Sequence, residues 1–282
     1  MAAVLAPHLL PSLSIVAGAS HNLAIRENGS LVAWGRSDAS QTSIPAAAAS
    51  NVLAIAAGDS HSLALLGSRT VVAWGDNSFG QTFVPPDLNG VAAIAAGRID
   101  SLALLTNGTV VGWGFNAYQQ TTPPPGLSNV VAIAAGYLHS VALQANGTIV
   151  AWGDNTFGQT NVPAGLSNVV AIAAGDFDTL ALRTNGTVVA WGDDSYGQTE
   201  LPGALANVFA VASGNYHSLA LVPAMGVLEP SLTSSGLVIR WNGPGTLQWA
   251  PSPVGPYTDV GSQGNAYTNQ DLSAPARFFR LR

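Results

Sequence analysis

Five tryptophan-glycine pairs, Trp34-Gly35, Trp74-Gly75, Trp113-Gly114, Trp152-Gly153 and Trp191-Gly192, recur along the chain at a nearly constant step, the first step one position longer than the other three. A glutamine follows each tryptophan at the same distance, at Gln41, Gln81, Gln120, Gln159 and Gln198. A glycine closing an Ala-Ala-Gly or similar triplet keeps the same step, at Gly18, Gly58, Gly97, Gly136, Gly175 and Gly214. A period of about 40 residues with so little drift restricts the chain to a propeller, a solenoid or an array, in which each unit buries its apolar face against its neighbours.

Within a unit, four short strand-like segments follow one another between turn residues. The clearest unit has Val130 to Ala134, His139 to Leu143, Thr148 to Trp152 and a short Gln159 to Pro163. Asn-Gly separates the second and third at Asn28-Gly29, Asn107-Gly108, Asn146-Gly147 and Asn185-Gly186, with Gly67-Ser68 in the remaining copy. Asn-Gly between alternating apolar runs predicts a type I′ hairpin, with positive φ at both residues. Each pair also begins a glycosylation sequon, but the turn alone accounts for its position.

Four antiparallel strands repeated radially make a β-propeller blade. The Ala-Ile-Ala-Ala-Gly strand suits the axis, where blades converge and only small side chains fit. The tryptophan belongs further out, between blades, where its burial contributes roughly 2 to 3 kcal/mol. The expected fold is all-β, a propeller of short four-stranded blades. Six copies of the first two strands and five of the last two add to 22 strands. The ring is therefore either six blades with one incomplete or an arc of a seven-bladed ring.

Composition agrees with many short buried strands: 48% of residues are apolar and 9% charged. No apolar run reaches the roughly 18 residues of a spanning helix. All nine basic residues are arginine and the net charge is -6, so the electrostatic footprint of a duplex-binding protein is missing. With no cysteine, neither disulfides nor thiolate metal sites are available.

The unit His-Ser-Leu-Ala-Leu, Asn-Gly-Thr-Val-Val-Ala-Trp-Gly-Asp-Asn-Ser-Phe-Gly-Gln, Val-Val-Ala-Ile-Ala-Ala-Gly resembles the regulator of chromosome condensation repeat in its short bacterial form. It is also similar to the propeller of a secreted bacterial β-lactamase-inhibitor protein, down to the Gln-Thr-x-Val-Pro ending. The resemblance implies a propeller, usually of seven blades, and a family that includes exchange factors, inhibitors and adaptors. It implies an extracellular or cell-surface setting.

Two domains are expected, a repeat domain over residues 1–222 and a small C-terminal β module over 223–282. The module has strand signals at Leu237 to Trp241, Thr246 to Trp249, Tyr257 to Val260 and Arg277 to Leu281. It resembles the terminal modules of secreted bacterial multidomain proteins. Residues 1–19 end like a signal peptide but lack a positive start, and Ala17-Gly18 is in register with the repeat. The missing upstream Trp-Gly segment predicts that the array begins part-way through.

Three positions beyond each repeat glycine stand His21, His61, Asp100, His139, Asp178 and His217. Six such positions suggest a metal ring or an acid-base set. One per blade is too widely spaced, so each is expected to bond backbone groups at the turn into its own strand. Asp76-Asn77, Asp154-Asn155 and Asp193-Asp194 suggest calcium, but they read equally as turn formers. No hydrolase, P-loop, metalloprotease or dinucleotide motif is present. A non-enzymatic chain without catalytic, cofactor or metal residues is expected.

The two positions after each repeat glycine vary freely while the scaffold repeats. They supply Asp59, Arg98, Tyr137, Asp176, Phe177, Asn215 and Tyr216 as candidate partner-binding residues, provided the turns open on one face. In the similar inhibitor protein the partner lies against such a face. Phe79, Tyr118, Phe157 and Tyr196 are more uniform and read as packing against the next blade. The expected function is a monomeric scaffold that binds another protein, without nucleic acid or a membrane span. Guanine-nucleotide exchange on a small GTPase and carbohydrate or cell-wall binding are the alternatives.

Overall fold

Antiparallel pairing of the short apolar runs produces five three-stranded sheets and one two-stranded sheet between Ile15 and Leu221. The computed structural model describes residues 14–203 and 205–222 in full, and beyond them the backbone of six strands between Leu228 and Leu281. Most of the signal-like stretch, residues 1–13, lies outside the described residues. The chain divides into two units, 1–222 and 223–282.

Blade 1 holds β1 (Ile15–Ala17), β2 (His21–Ile25) and β3 (Leu31–Gly35); blade 2 holds β4 (Val52–Ala57), β5 (His61–Leu66) and β6 (Val71–Gly75). Blade 3 holds β7 (Val91–Ala96), β8 (Asp100–Leu105) and β9 (Val110–Gly114), and blade 4 holds β10 (Val130–Ala135), β11 (His139–Gln144) and β12 (Ile149–Gly153). Blade 5 holds β13 (Val169–Ala174), β14 (Asp178–Arg183) and β15 (Val188–Gly192), and blade 6 holds β16 (Ala210–Ser213) and β17 (Ser218–Leu221). Each three-stranded blade is an antiparallel meander with its second strand in the middle.

Two details differ from the sequence expectation. The Gln159 to Pro163 segment and its kin form turns rather than a fourth strand, so the described propeller has 17 strands. Its main chain is needed elsewhere, as the cross-blade bonds below show. The hairpins are also one residue longer than type I′. Gly147 N–H donates to the Gln144 carbonyl (2.9 Å) and Gln144 N–H to Thr148 (2.9 Å), while Gly147 alone has positive φ, +80°. This is a type I turn closed by a glycine bulge. In the second copy the left-handed residue is Arg69, at φ +64°, rather than Gly67 or Ser68.

Between consecutive blades lies a separate apolar layer. In one of them Ala56, Leu63 and Leu65 of blade 2 meet Val91, Ile94, Ala96, Ala103 and Trp113 of blade 3. The other interfaces repeat this set in phase. Each blade therefore has a back face of Ile, Ala and Trp and a forward face of Ala and Leu. Trp74, Trp113, Trp152 and Trp191 are buried between blades, as their spacing predicts.

The repeat glycines line the axis for lack of room rather than for their φ. A Cβ on Gly97 would lie 2.7 Å from the Gly136 carbonyl oxygen and 2.7 Å from Asp100 Oδ1. Every repeat glycine from Gly18 to Gly175 meets the next one's carbonyl in this way.

The two end blades leave faces uncovered. Ile15 and Trp34 of blade 1 are 69% and 45% exposed, against 4% and 7% for the equivalent Ile55 and Trp74. Leu219 and Leu221 of blade 6 are 58% and 55% exposed, against 0% and 1% for Leu63 and Leu65.

The second unit contains two antiparallel sheets. One joins β18 (Leu228–Thr233), β19 (Gly236–Trp241) and β22 (Ala266–Asn269); the other joins β20 (Leu247–Ala250), β21 (Thr258–Asp259) and β23 (Phe278–Leu281). Four of these strands fall where the sequence predicts them, and β18 and β22 are additional. The predicted end residues Thr246, Tyr257, Val260 and Arg277 lie outside the described residues. Among the described residues no helix is long and apolar enough to cross a membrane.

Candidate functional site

Three of the six His/Asp positions, all histidines, form an internal latch. His21 Nε2 lies 2.9 Å from Ser62 Oγ, His61 Nε2 3.1 Å from Ser101 Oγ, and His139 Nε2 3.0 Å from Thr179 Oγ1. Each hydroxyl belongs to the next blade and gives its single proton to a glutamine carbonyl. Ser62 donates to Gln41, Ser101 to Gln81 and Thr179 to Gln159, each at 2.9 Å. The imidazole must therefore donate from Nε2, which fixes its tautomer. The same carbonyls accept the indole N–H of the next blade: Trp74, Trp113, Trp152 and Trp191 reach Gln41, Gln81, Gln120 and Gln159 at 2.9, 2.9, 2.8 and 3.0 Å.

These bonds correct the sequence expectation, since the histidines reach a hydroxyl on the neighbouring blade, not backbone of their own turn. The signal was legible: a hydroxyl residue follows the position in blades 2 to 6, at Ser62, Ser101, Ser140, Thr179 and Ser218, while blade 1 has Asn22.

Burial governs titration here, because desolvation disfavours whichever form is charged. It lowers His61 to about 3 and His139 to about 4. It raises Asp178 to about 6, partly offset by Ser213, whose hydroxyl donates at 2.7 Å. Asp100 is raised well above the ordinary carboxylate range by burial, and neither of its oxygens has a partner among the described residues. Asp100 thus lacks the hydroxyl bond that Asp178 takes from Ser213 of the next blade.

The Asp and Gln after each tryptophan also serve the scaffold. Gln159 Nε2 donates to Asp154 Oδ2 (2.8 Å), its Oε1 accepts the Phe157 N–H (2.9 Å), and Thr156 Oγ1 donates to Asp154 Oδ1 (2.6 Å). Gln81 with Asp76 and Gln198 with Asp193 repeat the pattern. These carboxylates are spent inside their own turns.

The variable turns do converge at one end. Asp59, Arg98, Asp176 and Asn215 line a pit of about 30 Å³ on the axis, floored by the repeat glycines. Arg98 pairs with Asp59, stands 4.0 Å from Asp176 and lies 4.3 Å from the Tyr137 ring centroid. Burial raises Asp176, with Arg98 opposing and Asp59 adding. Two backbone bonds tie neighbouring turns, from Asp59 N–H to Arg98 (3.0 Å) and from Tyr137 N–H to Asp176 (3.3 Å).

The aromatic candidates continue outward from this pit. Tyr137 packs edge-on against Phe177 with centroids 5.6 Å apart, and Phe177 meets Phe157 at 5.1 Å. Tyr196 meets Tyr216 at 4.8 Å and Phe79 meets Phe115 at 5.3 Å. Phe79, Phe157 and Tyr196 thus touch the next blade's loops, and all three, like Tyr118, stay exposed. The expected packing against the next blade is present for these three, and their exposed sides adjoin the candidate face.

Like blades in sequence, with divergent turns gathered at one axial end, define a blade-repeat β-propeller whose variable surface is built from loops. Residues 13–41, 52–81, 130–159 and 169–198 match the regulator of chromosome condensation (RCC1) repeat, so four of the chain's units are repeats of that kind. No curated protein sequence matches the chain significantly.

Among solved structures it is similar to Prp20p of Saccharomyces cerevisiae, a protein studied for binding to Gsp1p and histones (TM-score 0.65, 21% identity, 81% of this chain and 71% of that one). It is similar to yeast RCC1 (Prp20) bound to Kap60 (0.60, 22%, 81% and 69%). It is also similar to the ectodomain of the Physcomitrella patens receptor kinase CR4 (0.60, 25%, 78% and 60%).

Proposed function

We propose that the chain is a non-catalytic scaffold that binds another protein through the loop face around its axis, with Asp59, Arg98, Tyr137, Asp176, Phe177, Asn215 and Tyr216 in contact. The observation carrying this is the contrast between a scaffold fixed by identical buried bonds and turns that differ in every blade. Those turns combine a polar pit with adjoining exposed aromatics, the mixture that protein interfaces use. Similar propellers bind proteins, Gsp1p, histones and Kap60 in the yeast case. The turns after the glycines are short, with no inserted hairpin among the described residues, which favours binding over nucleotide displacement. An extracellular or cell-surface site of action, suggested by the resemblance to secreted bacterial proteins, belongs to the same proposal.

The test is affinity capture from the native host with three baits: the wild-type chain, a Tyr137→Ala/Phe177→Ala/Tyr216→Ala variant, and an Asn107→Ala/Asn146→Ala variant at the opposite end of the strands. A partner held by wild type and the hairpin variant but lost from the aromatic variant is expected. Equal capture by all three overturns the assignment to this face.

A further inference from the structure

Two acidic side chains and one arginine line the axial pit, Asp59, Asp176 and Arg98, so it carries one net negative charge. The arginine is already committed. Its Nε donates to Asp59 Oδ2, and its guanidinium lies 4.3 Å from the Tyr137 ring centroid. Its Nη1 stays 4.0 Å from Asp176 Oδ2, beyond hydrogen-bond reach.

Asp176 is therefore the unfinished member of the pit. Its side chain is only 9% exposed, yet among the described residues its carboxylate accepts no hydrogen bond. Burial raises its pKa in spite of Arg98, so the opposing charge compensates it incompletely. Buried carboxylates are ordinarily hydrogen-bonded, and those of Asp154, Asp178 and Asp193 each accept a side-chain donor. Asp100 also lacks a partner among the described residues, but it does not line the pit.

The main chain of the floor favours a cation as well. Gly58, Gly97, Gly136 and Gly175 spend their N–H groups on the carbonyls of His61, Asp100, His139 and Asp178, at 3.0, 2.9, 2.8 and 2.9 Å. The Asp59 and Tyr137 N–H groups are spent between neighbouring turns. These amides are closed to an anion. The pit, about 30 Å³, has room for roughly two waters. An ammonium nitrogen with its first methylene is of that size, and a planar guanidinium is larger.

We propose that the axial pit is a binding site for one primary ammonium group, held by the Asp176 carboxylate. Asn215, which lines the same pit, offers its amide oxygen as a second acceptor. The site deepens the loop-face reading and rests on it for the source of the group, a lysine of the bound protein. The chain's own α-amine offers the same chemistry, and the experiment separates the two.

The probe is n-butylammonium, a lysine side chain without its backbone, titrated into the full chain at neutral pH and constant ionic strength. Amide shifts of residues 58–60, 97–99, 175–177 and 214–216 are followed by NMR, and saturable shifts confined to these turns are expected. n-Butanol, of the same length without the charge, should bind at least about tenfold more weakly, and so should n-butylammonium to an Asp176→Asn variant. The butanol comparison uses the unaltered protein and stands even where the variant does not fold. Equal binding of n-butanol overturns the proposal, as does equal binding by a folded Asp176→Asn variant. So does a lack of saturation by n-butylammonium both before and after acetylation of the chain's α-amine. Saturation that is the same before and after acetylation supports the site and assigns it to an amine from outside the chain. Saturation that requires acetylation supports the site and assigns it to the chain's own α-amine. Loss of n-butylammonium binding with partner capture unchanged removes the pit alone. Equal capture by all three baits with n-butylammonium binding intact removes the face alone.

Discussion

Arg69 holds a hairpin position that glycine holds at Gly29, Gly108, Gly147 and Gly186, and it does so at φ +64°. A side chain in that region costs roughly 1 to 2 kcal/mol that glycine avoids. Arg69→Gly is therefore expected to stabilise the propeller by about 1 kcal/mol, less the extra freedom glycine gives the unfolded chain. A thermal melt measures it, and an unchanged or lowered midpoint is the contrary result. The buried latch residues make a second claim, about pH. His61 and His139 are depressed to about 3 and 4 from 6.5, so the stability they hold is present above pH 6.5 and is lost as pH falls toward those values. Asp178 has the opposite sign, because its raised value of about 6 means a contribution present below 3.8 and lost as pH rises through 6. Between about pH 4 and pH 6 the two oppose one another. Urea unfolding across that window should show stability falling on acidification, more steeply in Asp178→Asn and less steeply in His139→Gln. The reverse order of the two variants would refute the latch assignment.

Two kinds of glycine serve the turns of the propeller, and they can be told apart by substitution. Gly126 has φ +83° with nothing within 4 Å of an added Cβ, whereas Gly97 has ordinary φ and no room beside the Gly136 carbonyl. Gly126→Ala should cost about 1 kcal/mol. Gly97→Ala must push neighbouring blades away from each other at the axis and should cost about 3 kcal/mol or more. Comparable losses in denaturant unfolding would contradict the axial packing. Much of this level was legible from sequence, because a fixed period, small residues before each glycine and a recurring tryptophan all express packing that is local to one interface. The fourth strand was misread because Gln-Thr-x-Val-Pro has strand-like residues whose main chain bonds side chains of the next blade. The His-Ser link was missed because its partners, such as His61 and Ser101, stand a whole repeat apart in sequence and meet only after blades stack.

Six blades in sequence give a repeat unit whose end blades are unlike its middle ones. Ile15 and Trp34 at one end and Leu219 and Leu221 at the other are exposed copies of residues buried at every internal interface. No count of repeats shows this, since exposure depends on what lies beyond the last blade. The loop face, in contrast, was legible as a set of variable positions, and folding adds the axial pit that joins Asp59, Arg98 and Asp176 and the aromatic contacts that join Tyr137 to Phe177 and Phe157. The most direct measurement is amide hydrogen exchange of the full chain, free and saturated with the protein captured by it. Protection is predicted at residues 58–60, 97–99, 136–138, 175–177 and 214–216, with the hairpins at 107–109 and 146–148 unchanged. Protection confined to those hairpins, with the axial turns unaffected, would contradict a scaffold that binds through its loop face.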